Sequence, residues 1–133
     1  MKKRVPNIVE FVTDSRFLGL SLSEAQETLL RTIYGLPLSD PQLDLFRLCT
    51  GRQDYAGGSF GEATVIAGAR AGKDSRIAAP IVCYEALFGG HDKRLSKGEL
   101  AIIPLVAQDQ RATRVAFGYI KDYFAGSSLL ASM

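Results

Sequence analysis

Apolar residues recur at helical spacing in the first third of the chain. Ala25, Leu29, Leu30 and Ile33 form a stripe behind Ser23-Glu24-Ala25-Gln26, a capping box with Ser23 at the N-cap and Gln26 three residues on. Gly35 follows the stripe as a stop signal. A second helix is predicted from Ser39-Asp40-Pro41, with Asp40 as cap and Pro41 in the first helical position. Leu43, Phe46 and Cys49 or Thr50 share a face of it, and Gly51 ends it. Ile8 to Val12 is too short to separate helix from strand by period.

Beyond Gly51 the pattern changes. Gly51 to Gly61 is polar and glycine-rich, a loop. Ala63, Val65, Ile66 and Ala67 predict a strand, broken by a turn containing Gly68 and Gly72. Lys73 to Phe88 predicts a helix ended by Gly89-Gly90. Pro80 lies inside it and predicts a kink, or a first helical piece ending near Ala79. Gly89 to Gly98 is a charged connector. Leu100 to Ala107 predicts a second strand with Pro104 as an irregularity. Asp109 can cap a last helix striped by Val115, Tyr119 and Phe124.

Two strands separated by a helix imply a parallel pair with a right-handed crossover. The expected fold class is therefore α/β: a partial P-loop NTPase-like parallel sheet with two β-α units, preceded by a helical segment. Residues 1–57 form the helical lead-in, 58–125 the partial core and 126–133 a tail. So small a sheet suits part of a larger domain.

Composition narrows the classes. The chain has 133 residues, 47% of them hydrophobic, and a net charge of +2, too small to argue for nucleic acid by itself. The basic start, Met1 to Arg4, reads as a solvated terminus, and no apolar stretch follows it as in a signal peptide. No apolar run approaches the roughly 20 residues of a membrane span. Cys49 and Cys83 have neither CxxC spacing nor a histidine cluster, so they read as reduced, packed thiols. His91 stands alone in its connector, which argues against a metal role. The expectation is a soluble, cytoplasmic protein with no membrane partner.

Strand, glycine loop, lysine and helix is the layout of a phosphate cradle. Successive backbone N–H groups form an anion nest, the helix adds its positive end, and the lysine reaches the outer phosphates. A Ser or Thr after the lysine holds magnesium in the strict form GxxxxGK[ST]. Here Ala67 stands where the first glycine belongs and Asp74 where the hydroxyl belongs. Starting at Gly68 gives a loop one residue shorter, Gly68-Ala69-Arg70-Ala71-Gly72-Lys73.

Three segments in order carry a wider likeness: GLPLSDPQLDLFRLCTGR (35–52), GEATVIAGARAGKDSRIAAPIVCYEALF (61–88) and KGELAIIPLVAQDQRATRVAFGYIKDYF (97–124). From Leu36 to Phe124 the chain resembles the N-terminal ATPase region of phage terminase large subunits, the motors that package viral DNA. The resemblance implies ATP and Mg2+ as cofactors. It implies nucleotide binding by Gly68, Ala69, Arg70, Ala71, Gly72, Lys73, Asp74 and Ser75, with catalytic roles for Lys73 and Arg70. Mg2+ would be held by Asp74 or Ser75. Gln26 matches an upstream glutamine that reads adenine in related motors, and the capping box accounts for it as well. Implied partners are double-stranded viral DNA, a portal, the small terminase subunit and a separate chain carrying the rest of the motor. Ala69, Asp74 and Ala112 depart from the family pattern, which has Arg, a hydroxyl and Gln there.

No apolar strand ending in Asp-Glu follows the second β-α unit, so the acids that position water are missing. Asp109 reads as a helix cap rather than such an acid. The expectation is an ATP-binding fragment of a packaging motor whose hydrolytic machinery is incomplete in this chain. Two alternatives stand beside it: a non-enzymatic prophage remnant or interaction protein, and a small P-loop kinase-like enzyme using Asp109.

Overall fold

The computed structural model describes residues 4–133, and every regular element among them is helical. In chain order these are α1 (Ile8–Thr13), α2 (Glu24–Ile33), α3 (Asp40–Thr50), α4 (Ala79–Phe88), α5 (Gln110–Gly126) and α6 (Ser128–Ala131). A π-helical turn, Lys73–Ala78, leads directly into α4, and a 3-10 turn, His91–Arg94, follows it. Of the basic start, residues 1–3 lie outside the described residues, and Arg4 pairs with Glu10 at 2.9 Å.

The expected α/β sheet is not formed. Residues 62–67 and 99–107 carry no regular structure, and no backbone hydrogen bond pairs one with the other. Ile66 is 97% exposed and Val106 91%, with Leu100 and Ile102 also exposed. An apolar run becomes a strand only when a neighbouring backbone takes its N–H and C=O groups. Neither segment has that neighbour among the described residues, so local β pattern is not converted into a ladder.

The helices supply the core instead. α1 resolves the ambiguous Ile8–Val12 stretch, because Asn7 and Glu10 form a capping box with both hydrogen bonds at 2.9 Å. Its Ile8, Val9, Phe11 and Val12 are all buried. Phe11 is sealed from solvent, with ring centroids 5.5 Å from Phe17, 5.6 Å from Tyr84 and 5.7 Å from Phe88. These contacts clamp α1 onto α4 with the edge and tilted geometries that aromatic quadrupoles favour. Tyr84 also donates its hydroxyl to the Pro6 carbonyl at 2.9 Å.

α2 follows the predicted capping box, and Gly35 adopts φ +66° just past its end. In α3 the cap lies one residue earlier than expected. Ser39 is the N-cap, Asp40 is the first helical residue and Pro41 the second, still inside the turn that needs no backbone donor. The loop after α3 folds back on α2. A Cβ at Gly35 would lie 2.5 Å from the Gly58 carbonyl carbon, so glycine is required by both contact and φ. The Phe60 N–H then reaches the Ile33 carbonyl at 2.9 Å.

Pro80 falls at the junction of the π turn and α4. The wide turn ends with the Ala79 N–H bonded to the Asp74 carbonyl, and Pro80 follows directly, at the point where π winding gives way to α winding. The kink expected there is thus a change of helical winding. α5 is capped by Asp109, whose carboxylate accepts the Ala112 N–H at 2.8 Å. Its inward stripe is only partly the expected one: Phe124 packs on the core as expected, with Ile120 buried and Tyr123 beside it, while Val115 and Tyr119 are exposed. Within residues 126–133, α6 buries Leu130. No helix among the described residues is long and apolar enough to cross a membrane.

Two measurements check this packing. Phe11→Ala should lower unfolding free energy by about 3–5 kcal/mol in urea titration, the usual cost of an unfilled aromatic site. Cys83 is buried and its thiol is pushed up to about 11 by burial, whereas Cys49 is exposed. Thiol titration with an aromatic disulfide at pH 8 should therefore modify Cys49 in the folded protein and both cysteines in denaturant.

Candidate phosphate-binding loop

The glycines of the Gly68–Gly72 loop do what the sequence asks of them. The Ala71 N–H bonds the Gly68 carbonyl at 3.4 Å, closing a turn. Arg70 then takes φ +60° and Gly72 φ +75°, both in the left-handed region. Alternation into that region turns successive peptide N–H groups toward a common concavity. Lys73 opens the helical run directly afterwards. The first helical return is Arg76 N–H to the Gly72 carbonyl at 2.7 Å, so the N–H groups of Lys73, Asp74 and Ser75 find no backbone acceptor among the described residues. Free donors and the positive helix end coincide at this point.

Side chains from other elements hold the loop's base. Gln26 donates from Nε2 to the Ala71 carbonyl at 2.9 Å. Arg76 donates from Nε to the Ser21 carbonyl at 3.2 Å. The Tyr123 hydroxyl of α5 donates to the Ser75 carbonyl. Thus α2, α5 and the helix that follows the loop fix it together, in place of the expected feeding strand at Ala63–Ala67.

Lys73 and Asp74 line a cavity of about 630 Å3 whose apolar floor includes Ile77 and Ile81. Glu62 and Glu85 also border it, so one basic residue and three acidic ones share the lining. That balance disfavours a bare polyanion and suits one accompanied by a cation. Among the described residues no group of three or more His, Cys, Asp or Glu side chains forms a metal cage. Asp74 or Ser75 fits Mg2+ in the other common manner, one or two protein oxygens completed by phosphate and water. Arg70 is exposed on the loop, and neither it nor Lys73 enters an ion pair among the described residues.

The structure brings Gln26 to the loop, places Lys73 and Asp74 on the cavity, and leaves Arg70 on the outer side in solvent. Asp109 is spent as the α5 cap, as read from the sequence. Sequence reading missed Tyr34 and Glu85, whose side chains meet at 2.6 Å on the cavity wall. Burial first, and the neighbouring carboxylate second, raise the Tyr34 phenol far above its ordinary range. Glu85 was accessible to sequence analysis: it continues the Ile77, Ile81 spacing along one helix face. His91 contacts the same carboxylate at 2.6 Å.

Fold and site together define a helical protein with a glycine-lysine loop at a helix N-terminus. No family model, curated protein or solved structure matches the chain.

Gly72→Ala tests the loop geometry. The added Cβ would sit 2.9 Å from Gln26 Nε2 at φ +75°. Urea unfolding should show a loss of about 1–2 kcal/mol, the cost of a left-handed residue with a side chain.

Proposed function

We propose that the Gly68–Ser75 loop binds the phosphates of ATP, and that this chain is an ATP-binding fragment of a terminase large subunit-like packaging motor. The observation that carries the reading is the free N–H array of Lys73, Asp74 and Ser75 behind a left-handed glycine, with Lys73 also lining the cavity. Such an array binds phosphate without requiring a sheet beneath it. The three-segment resemblance supplies the motor. Arg70 supports it as a second cation, since a guanidinium binds phosphate oxygens in pairs.

Lys73 meets the outer phosphates, Arg70 approaches from the solvent side, and Asp74 or Ser75 holds Mg2+. Bound Mg2+ neutralises charge on the phosphate oxygens. Asp74 then serves the metal rather than repelling the nucleotide, which accounts for a carboxylate in place of a hydroxyl. The chain binds without turning over at a useful rate, because no acid pair stands ready to orient water. Asp109 is engaged as a helix cap, which removes support for a kinase-like reaction. Double-stranded viral DNA, a portal, the small terminase subunit and a chain completing the motor are the partners this reading implies, in a host cytoplasm.

A second reading, a non-enzymatic interaction protein, is favoured by the exposed apolar side chains of Ile66, Leu100, Ile102 and Val106. Calorimetric titration with a non-hydrolysable ATP analogue and Mg2+ separates the two. Wild type should bind and Lys73→Ala should not. Equal binding by both proteins would sink the loop assignment, and no binding or thermal shift by either would leave the interaction protein.

A further inference from the structure

We infer that Gln26 is a positioning residue for the loop: its side-chain amide joins the start of α2 to the Ala71 carbonyl and so sets the direction of the Gly72 N–H. The affinity part of this inference rests on the proposed phosphate binding; the geometric part does not.

Gln26 divides its two polar atoms between two elements. Oε1 accepts the Ser23 N–H at 3.0 Å, completing the α2 capping box. Nε2 has no part in that box and reaches 45 residues along the chain to Ala71. A capping-box glutamate would satisfy α2 equally well. The amide nitrogen is therefore the feature that the capping box leaves unexplained.

The contact falls on the Ala71–Gly72 peptide. In a planar trans peptide, C=O and N–H point in opposite directions. Holding the Ala71 carbonyl toward α2 turns the Gly72 N–H to the opposite side of the loop. Arg76 acts from the same side, because its Nε grips the Ser21 carbonyl at 3.2 Å, just ahead of the α2 cap. Glycine is required at 72 by its φ of +75°, and Gln26 Nε2 lies only 2.9 Å from where a Cβ would go, so the side chain closes directly over that residue. Loop shape and helix cap thus depend on one side chain.

Gln26→Glu separates these roles. The glutamate keeps the acceptor for the Ser23 N–H and loses the donor to Ala71. Circular dichroism and the α2 amide resonances should match wild type. The amide resonances of Ala71, Gly72 and Lys73 should shift, and their hydrogen exchange should quicken. ATP affinity measured with Mg2+ should fall about tenfold, the worth of one hydrogen bond in orienting a donor. Gln26→Ala, which removes both contacts, should disturb α2 and the loop together. Unchanged loop resonances and exchange in Gln26→Glu would overturn the inference. If wild type binds no ATP, the phosphate reading fails, and the loop resonances still decide for or against the clamp.

Discussion

The ring of Phe11, closed off from solvent and packed within 5.7 Å of Tyr84 and Phe88, fixes where the helix behind the loop can lie. α1 is short and would not persist alone. It is held by its capping box and by burying four apolar side chains against α4. Because α4 continues the helical run begun at Lys73, whatever orients α4 also orients the loop's free N–H groups. Burial of the Phe11 ring against α4 and the placing of Lys73 at the head of the same helical run are thus linked through one continuous element.

Pro80 belongs to the same chain of cause. A proline in an unbroken α-helix costs about 3 kcal/mol through a lost donor and a clash. Here the helix starts as a wider π turn and tightens at Ala79, so the winding changes beside the proline instead of running through it unaltered. π turns frequently occur at functional sites. In this chain the wide turn carries Lys73, Asp74 and Ser75, the residues assigned to phosphate and metal.

A phosphate loop normally gains stiffness from the strand that feeds it. This loop gains it from side chains: Gln26 from α2, Tyr123 from α5 and Arg76 from its own helix. The arrangement keeps the loop's geometry while leaving Ile66, Leu100, Ile102 and Val106 exposed. It also leaves three acidic residues, Glu62, Asp74 and Glu85, on the same cavity as Lys73.

Local chemistry was legible in the sequence because it acts over a few residues. The Ser23 to Gln26 capping box, the Gly35 and Gly51 stops, the Asp109 cap and the turn at Gly68 to Gly72 each satisfy backbone groups within one turn of chain. The α/β sheet was misread because alternating apolar residues report a preference, whereas a sheet needs a partner backbone at about 4.8 Å. The same limit hid the Gln26 to Ala71 and Tyr34 to Glu85 hydrogen bonds, and it put Val115 and Tyr119 in the α5 stripe where Ile120 and Tyr123 pack beside Phe124. The sequence by itself determined where α2 and α5 start and, to within one residue, where α3 does, because caps act within one turn of chain. Tertiary structure decided that the apolar runs remain unpaired and that Gln26 grips the loop, because those outcomes depend on groups tens of residues apart meeting in space.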